Sequence, residues 1–257
     1  MPKKYELLKE SHKILGTDGN IHKIYRIRSL IDMDAGEFRV QVGSLGGFIE
    51  SEDNLHHEGT AWVGDDAFVY GDAIVKNNAV VSGNARISGR AIIYDRAVVE
   101  DSAQVFGDAL VYEHAWVYGS AKVSESSKVY DHAQVHGNAL VFESARVFGE
   151  AEVYGDTHVY GYAAVYGNTL VAENARISGV AEVYERAVVY GSAQVAGEAH
   201  VYGRATIRGN VRVRGDAHLR GDTIFTMGVV DHGTFEGKGN VPDRKSTLDF
   251  DEWEYTE

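Results

Sequence analysis

Val69-Tyr70-Gly71-Asp72-Ala73-Ile74, closed by Val75, is one unit of the six-residue period that decides the fold. The period runs without insertion from Glu58 to Phe225, through 28 hexads. Each carries an aliphatic or aromatic residue at one slot: Val63, Val69, Val75, Val81, Ile87 and so on to Leu219 and Phe225. Two residues earlier stands a small one. It is Ala in 23 of 28 cases and Ser127, Thr157, Thr169, Val211 or Thr223 in the others. Residues two apart on a strand face the same way, so Ala73 and Val75 point inward and Ile74 points out. A period this strict marks one supersecondary unit stacked on itself.

Three short strands per coil predict an 18-residue turn and an all-β, single-stranded parallel β-helix shaped as a triangular prism. The 28 hexads make about nine coils, ~45 Å long at the usual strand spacing. The small residue leaves room beside the larger one in a narrow bore. Burial of each Val contributes at least ~1.5 kcal/mol before entropy is subtracted, so folding needs no metal or disulfide. The corners fall at a slot held by Gly in 18 of 28 hexads and by Asp, Asn or Glu in the rest. Gly, Asn and Asp tolerate positive φ. Glu113, Glu125, Glu143, Glu173 and Glu185 do so at a cost, which implies that the slot is not always left-handed.

Composition sets outer bounds. The chain has no Cys, which removes disulfides and thiolate chemistry. The Met1-Pro2-Lys3-Lys4-Tyr5 start has no apolar signal core, and no stretch approaches the length of a membrane span. A soluble, cytoplasmic protein is expected. The net charge of −13 disfavours nucleic acid and anionic lipid as partners. The charge is uneven: residues 58–152 hold 14 acids and 7 bases, whereas Arg204, Arg208, Arg212, Arg214 and Arg220 crowd the last coils.

Three regions are expected. Residues 1–57 form a small β-rich cap, with strands over Lys4–Leu15 and Ile21–Met33 joined by a turn at Gly16–Asn20. Residues 58–225 form the β-helix. Residues 226–257 form a C-terminal cap and an irregular tail in which Asp249, Asp251, Glu252, Glu254 and Glu257 mix with Phe250, Trp253 and Tyr255. That tail is either a solubilising extension or a segment that docks on the arginine-rich coils.

The hexad resembles the repeat of left-handed parallel β-helix proteins, the trimeric acyltransferase-like hexapeptide superfamily. The aliphatic slot is followed here by Gly one position later than that superfamily usually has it. The segment Gly43-Ser44-Leu45-Gly46-Gly47-Phe48-Ile49-Glu50-Ser51-Glu52-Asp53-Asn54-Leu55, with Gly59 and Trp62, is similar to the YdcK-like bacterial and prophage subgroup. The resemblance implies left-handed coils, a homotrimer and, in the transferase members, acetyl-coenzyme A and a catalytic His near a subunit junction.

Residues 18 apart stack in successive coils, so the surface reads as columns. The outward strand position of a first face gives Trp62, Val80, Val98, Trp116, Gln134, Glu152, Leu170, Val188, Thr206 and Ile224. Tyr94, Tyr112, Tyr130, Phe148, Tyr166, Tyr184 and Tyr202 form an aromatic column assigned to the same face. Aromatic stacking accounts for part of it. A long apolar strip usually marks a contact surface, so this face is expected to pack on copies of itself, as a trimer or a dimer.

Candidate chemistry gathers at one corner. Asp95, Glu113 and Asp131 occupy the bend slot of successive coils, each followed by Arg96, His114 or His132. His114 and His132 are the candidate general bases, and Glu113, His114, Asp131 and His132 the candidate metal ligands. Solvated bend residues are the simpler reading of all of them. Arg208, Arg212 and Arg214 are candidate anion contacts. No loop leaves the coil between residues 58 and 225, so little would enclose a substrate. A non-catalytic, self-associating scaffold or binding module is therefore expected, with no cofactor. An acyltransferase using acetyl-coenzyme A, and an acidic partner-binding or decoy protein of phage origin, remain as alternatives.

Overall fold

A computed structural model describes residues 3–36, 38–236 and 239–240. Its coils follow the period. Each hexad contributes a two-residue strand, such as Phe68–Val69, Ile74–Val75 and Val80–Val81, and each strand pairs in parallel with the one 18 residues on. Among the described residues the strands gather into three long sheets of 13, 10 and 11 strands, the sides of the prism. The bore is the expected column: Val63 to Leu219 at the aliphatic slot and the Ala two residues before are fully buried. Ser127 and Thr157 replace Ala without orphaning a hydroxyl, because Ser127 donates to the Ser124 carbonyl at 2.7 Å and Thr157 to the Tyr154 carbonyl at 2.6 Å.

The bends overturn one expectation. All 28 corner residues from Gly59 to Gly221 have positive φ, the five Glu included, at 58 to 62°. The reason is the ladder of corners. Arg96 N–H donates to the Glu113 carbonyl at 2.8 Å, and His114 N–H to the Asp131 carbonyl at 2.8 Å. Each corner therefore copies the one stacked on it, and the ~1–2 kcal/mol of left-handed strain on a side-chain-bearing residue is carried by that pairing. Several acids recover part of the cost. Glu113 accepts the Asp131 N–H at 2.8 Å, Asp131 the Gly149 N–H at 2.9 Å, and Glu185 the Gly203 N–H at 2.9 Å. Where the slot is Gly the corners lie close: a Cβ on Gly107 would sit 2.7 Å from the Glu125 nitrogen.

The first coil is closed by a cap of two hairpins. β1 (Tyr5–Leu15) and β2 (Ile21–Ser29) pair antiparallel, and β2 joins β5 (Leu45–Ile49), which opens the parallel ladder through Phe48 and Ile49 against Phe68 and Val69. The second strand stops at Ser29, short of the expected Met33. Met33–Ala35 (β3) instead pairs with Phe38–Val40 (β4) in a small hairpin of its own. Asn54, fully buried, plugs the open end of the bore. Its carbonyl accepts from Glu50 and Ser51 N–H, and its amide donates to the Gly71 and Ala73 carbonyls at 2.8 and 2.9 Å. All its polar capacity is used, as burial requires.

At the other end the period fails after Phe225 but the pairing does not. Val229–Val230, Thr234–Glu236 and Gly239–Asn240 continue the three sheets, with register spacings shortened to 17 and then 16 residues. The solenoid therefore has about ten turns in place of nine. The acidic aromatic stretch from Asp249 to Glu257 lies outside the described residues, and so does its expected docking.

Candidate interaction surface

The parity of each strand decides where the outward residues go. Leu110–Val111 is a strand of the third face, with Val111 inward, so Tyr112 extends the outward row of that face. The aromatic column thus stands on the third face, not on the first with Trp116, as the sequence reading had it. Contacts agree. The Tyr166 hydroxyl donates to Glu182 at 3.0 Å, and Tyr184 and Tyr202 meet His200 and His218 edge-on. The rings of Tyr94, Tyr112, Tyr130, Phe148, Tyr166, Tyr184 and Tyr202 form one continuous stack with centroids 4.7 to 5.1 Å apart and planes within 8°. Each ring is half-buried and its faces are occupied by its neighbours. Burial pushes the Tyr112 phenol up to about 12. The stack stiffens the coil and offers only ring edges to a partner.

The first face is different. Its row begins at Trp62 and Val80, both buried, and the β3–β4 hairpin lies over them: a Cβ on Gly36 would come 3.2 Å from the Val80 methyl. A pocket of about 150 Å³ between hairpin and coil is lined by Phe38, Val40, Trp62 and Val80. Beyond it Val98, Leu170, Val188 and Ile224 are half-buried, and Trp116 is 39% exposed. Trp116 is held in place. Its Nε1 donates to Glu100 at 3.0 Å, and its ring leans on Tyr118 at 4.5 Å. Tyr118, His136 and Tyr154 stack in turn at 4.5 and 5.0 Å, and His136 Nε2 lies 3.0 Å from the Glu152 carboxylate. This second aromatic row was missed in the sequence. The signal was present at 118, 136 and 154, two residues beyond each outward residue of the first face.

The corner of candidate catalytic and metal-binding residues is an open groove of about 540 Å³ lined by Glu58, Asn77, Asn78, Asp95, Arg96, Glu113 and His114. His114 and His132 are exposed and stack face to face, 4.8 Å apart and within 2° of parallel. Their in-plane lone pairs therefore run side by side and do not converge on one ion. Among the described residues no group of three or more His, Asp or Glu is placed to hold a metal ion. The Glu113 carboxyl is raised above its ordinary value, chiefly by a hydrogen bond with the Asp131 side chain. The same carboxyl accepts the Asp131 N–H of the next corner. Asp95 likewise accepts the Asn77 amide at 2.8 Å. These groups are engaged in corner-to-corner bonding.

The three candidate anion contacts do not assemble. Arg208 follows the strand Thr206–Ile207 of the first face, whereas Arg212 and Arg214 belong to the second. Arg214 is paired with Asp231.

A family model of the YdcK beta solenoid repeat matches residues 67–83 and 103–125. With the stacked parallel coils, the match supports a YdcK-like β-helix. Both matched stretches lie in the unbroken hexads, and the second carries Trp116 and Tyr118. A search of curated proteins finds no match. No helix among the described residues is long and apolar enough to cross a membrane.

Proposed function

We propose that the protein is a self-associating β-solenoid scaffold, whose contact surface is the first face from Val98 to Ile224. One observation supports this above the others. The chain covers the outward row of this face with its own hairpin at Trp62 and Val80, and among the described residues the same row continues uncovered through Trp116, Leu170, Val188 and Ile224. Five of the eight outward residues from Val98 to Ile224 are apolar, and exposed apolar patches on a water-facing sheet usually mark contact surfaces. The flat, regular coil suits a scaffold, because no loop leaves it between the two-residue strands.

The acyltransferase reading, carried by the resemblance to the hexapeptide superfamily, has less support. A general base needs a positioned acceptor and exclusion of water. His114 and His132 stand exposed on an open corner. The acidic decoy reading rests on net charge alone.

Replacing Trp116 and Leu170 by Lys tests the proposal. Both side chains point out of the bore, so the far-ultraviolet circular dichroism should keep the parent's β signature. The mass in solution should fall to that of a single chain. An unchanged mass with folded protein would contradict the proposal.

A further inference from the structure

The charges on the first face are not symmetric along the prism. Glu100 stands beside Trp116 near one end of the uncovered row. Arg208, exposed, is near the other end. A parallel arrangement, two-fold or three-fold, sets each coil beside its own copy. Glu100 would then lie against the coil of the partner's Glu100, and Arg208 against the coil of the partner's Arg208. Like charges opposed across a contact oppose assembly.

We infer that the second copy docks antiparallel, about a two-fold axis running along the strands between Glu152 and Leu170. This rests on the reading of the first face as the contact surface, and it names the partner's orientation. The register follows from the ends of the free apolar row among the described side chains. With Trp62 and Val80 under the hairpin, the row runs from Val98 to Ile224, and its midpoint falls between Glu152 and Leu170. Reversal about that point keeps each column opposite itself. Val98 then meets the partner's Ile224, Trp116 the partner's Thr206, and Tyr118 the partner's Arg208. Each contact recurs by symmetry, as an isologous interface demands.

The chemistry of the junction fits. The Trp116–Tyr118 block presents aromatic surface with the Glu100 carboxylate one coil away, a combination that receives a guanidinium through cation–π contact and charge. Arg208 is the basic residue on the outward rows of this face between Val98 and Ile224.

The absence of Cys from the chain makes the test clean. Chains carrying Val98→Cys and Ile224→Cys are mixed and treated with a bismaleimide whose reach matches the ~10 Å separation of packed sheets. The antiparallel arrangement predicts a mixed covalent dimer and no product from Val98→Cys alone, since like positions lie seven coils, roughly 34 Å, apart along the axis. Arg208→Glu should weaken association by roughly tenfold or more, and Glu100→Arg in the same chain should restore it. Self-cross-linking of Val98→Cys, or Arg208→Glu without effect on an assembled protein, would overturn the antiparallel arrangement and leave the contact surface standing. A chain that sediments as a monomer would overturn both.

Discussion

The early coils and the middle coils of this prism share one bore but treat their outer surfaces differently. Around Phe48, Phe68, Tyr70, Trp62 and Val80 the chain supplies its own cover. Ile14 and Ile24 of the long hairpin pack on the Phe48–Phe68–Tyr70 cluster, and the small hairpin lies over Trp62 and Val80. From Val98 onward nothing in the described chain covers the first face, and the side chains there are organised into Trp116–Glu100 and Tyr118–His136–Tyr154 instead. The bore fixes the coil in both stretches, whereas the outward apolar row is covered by the cap in one and, on the function proposed above, by a second copy in the other.

Removing the cap should erase the difference, with the largest effect. Deleting residues 3–44 strips the cover from Phe68, Tyr70, Trp62 and Val80 and bares the first strand of the ladder. Exposed parallel edges and apolar patches promote aggregation. The truncated chain should appear in the pellet or as large species in light scattering, and a soluble product with the parent's size would contradict the role given to the hairpins.

A smaller effect is confined to the cap. Lys4 is buried with its Nζ donating to the Ala61 carbonyl at 2.7 Å, and desolvation lowers its pKa to about 8. The unfolded chain keeps this amine protonated to higher pH than the folded chain does. The unfolded state thus binds more protons between about 8 and 10.5, and stability from this group rises with pH across that window. Tyr5, whose phenol burial holds well above its ordinary value, works the other way above 10.0. The melting temperature of the intact chain should therefore rise from pH 8 toward pH 10 relative to Lys4→Met, measured over the same range. Parallel curves would show that Lys4 is not desolvated as described.

The smallest effects belong to the corners of the middle coils. Glu125 holds a φ of 58° and makes no side-chain hydrogen bond among the described residues, so Glu125→Gly should stabilise by ~1 kcal/mol. Glu113 holds the same φ, but its carboxylate accepts the Asp131 N–H at 2.8 Å. There the loss of a bond worth ~1 kcal/mol offsets the relief of strain, and Glu113→Gly should change stability little. Denaturant midpoints of the two variants separate the cases; equal shifts would remove the role assigned to the corner carboxylates.

Much of this molecule was legible because its contacts recur at a fixed offset. The bore from Val63 to Leu219 and the stacking of Tyr94 through Tyr202 follow from residues 18 apart. The face of the tyrosines was misplaced because Tyr112 was counted with the strand that follows it; parity along Leu110–Val111 puts it with the strand before. The left-handed glutamates were not legible from propensity, since a ladder of bonded corners overrides a local preference worth ~1–2 kcal/mol. The small hairpin over Trp62 and Val80 had no periodic signal at all. Its position depends on contacts between residues 33–40 and a coil that comes later in the chain, which no spacing rule encodes.

Sedimentation equilibrium of the intact chain, from below one micromolar to tens of micromolar, tests the central claim most directly. A contact surface along the uncovered first face predicts a concentration-dependent mass that reaches a whole multiple of 28.2 kDa. A constant mass of 28.2 kDa over that range would contradict it.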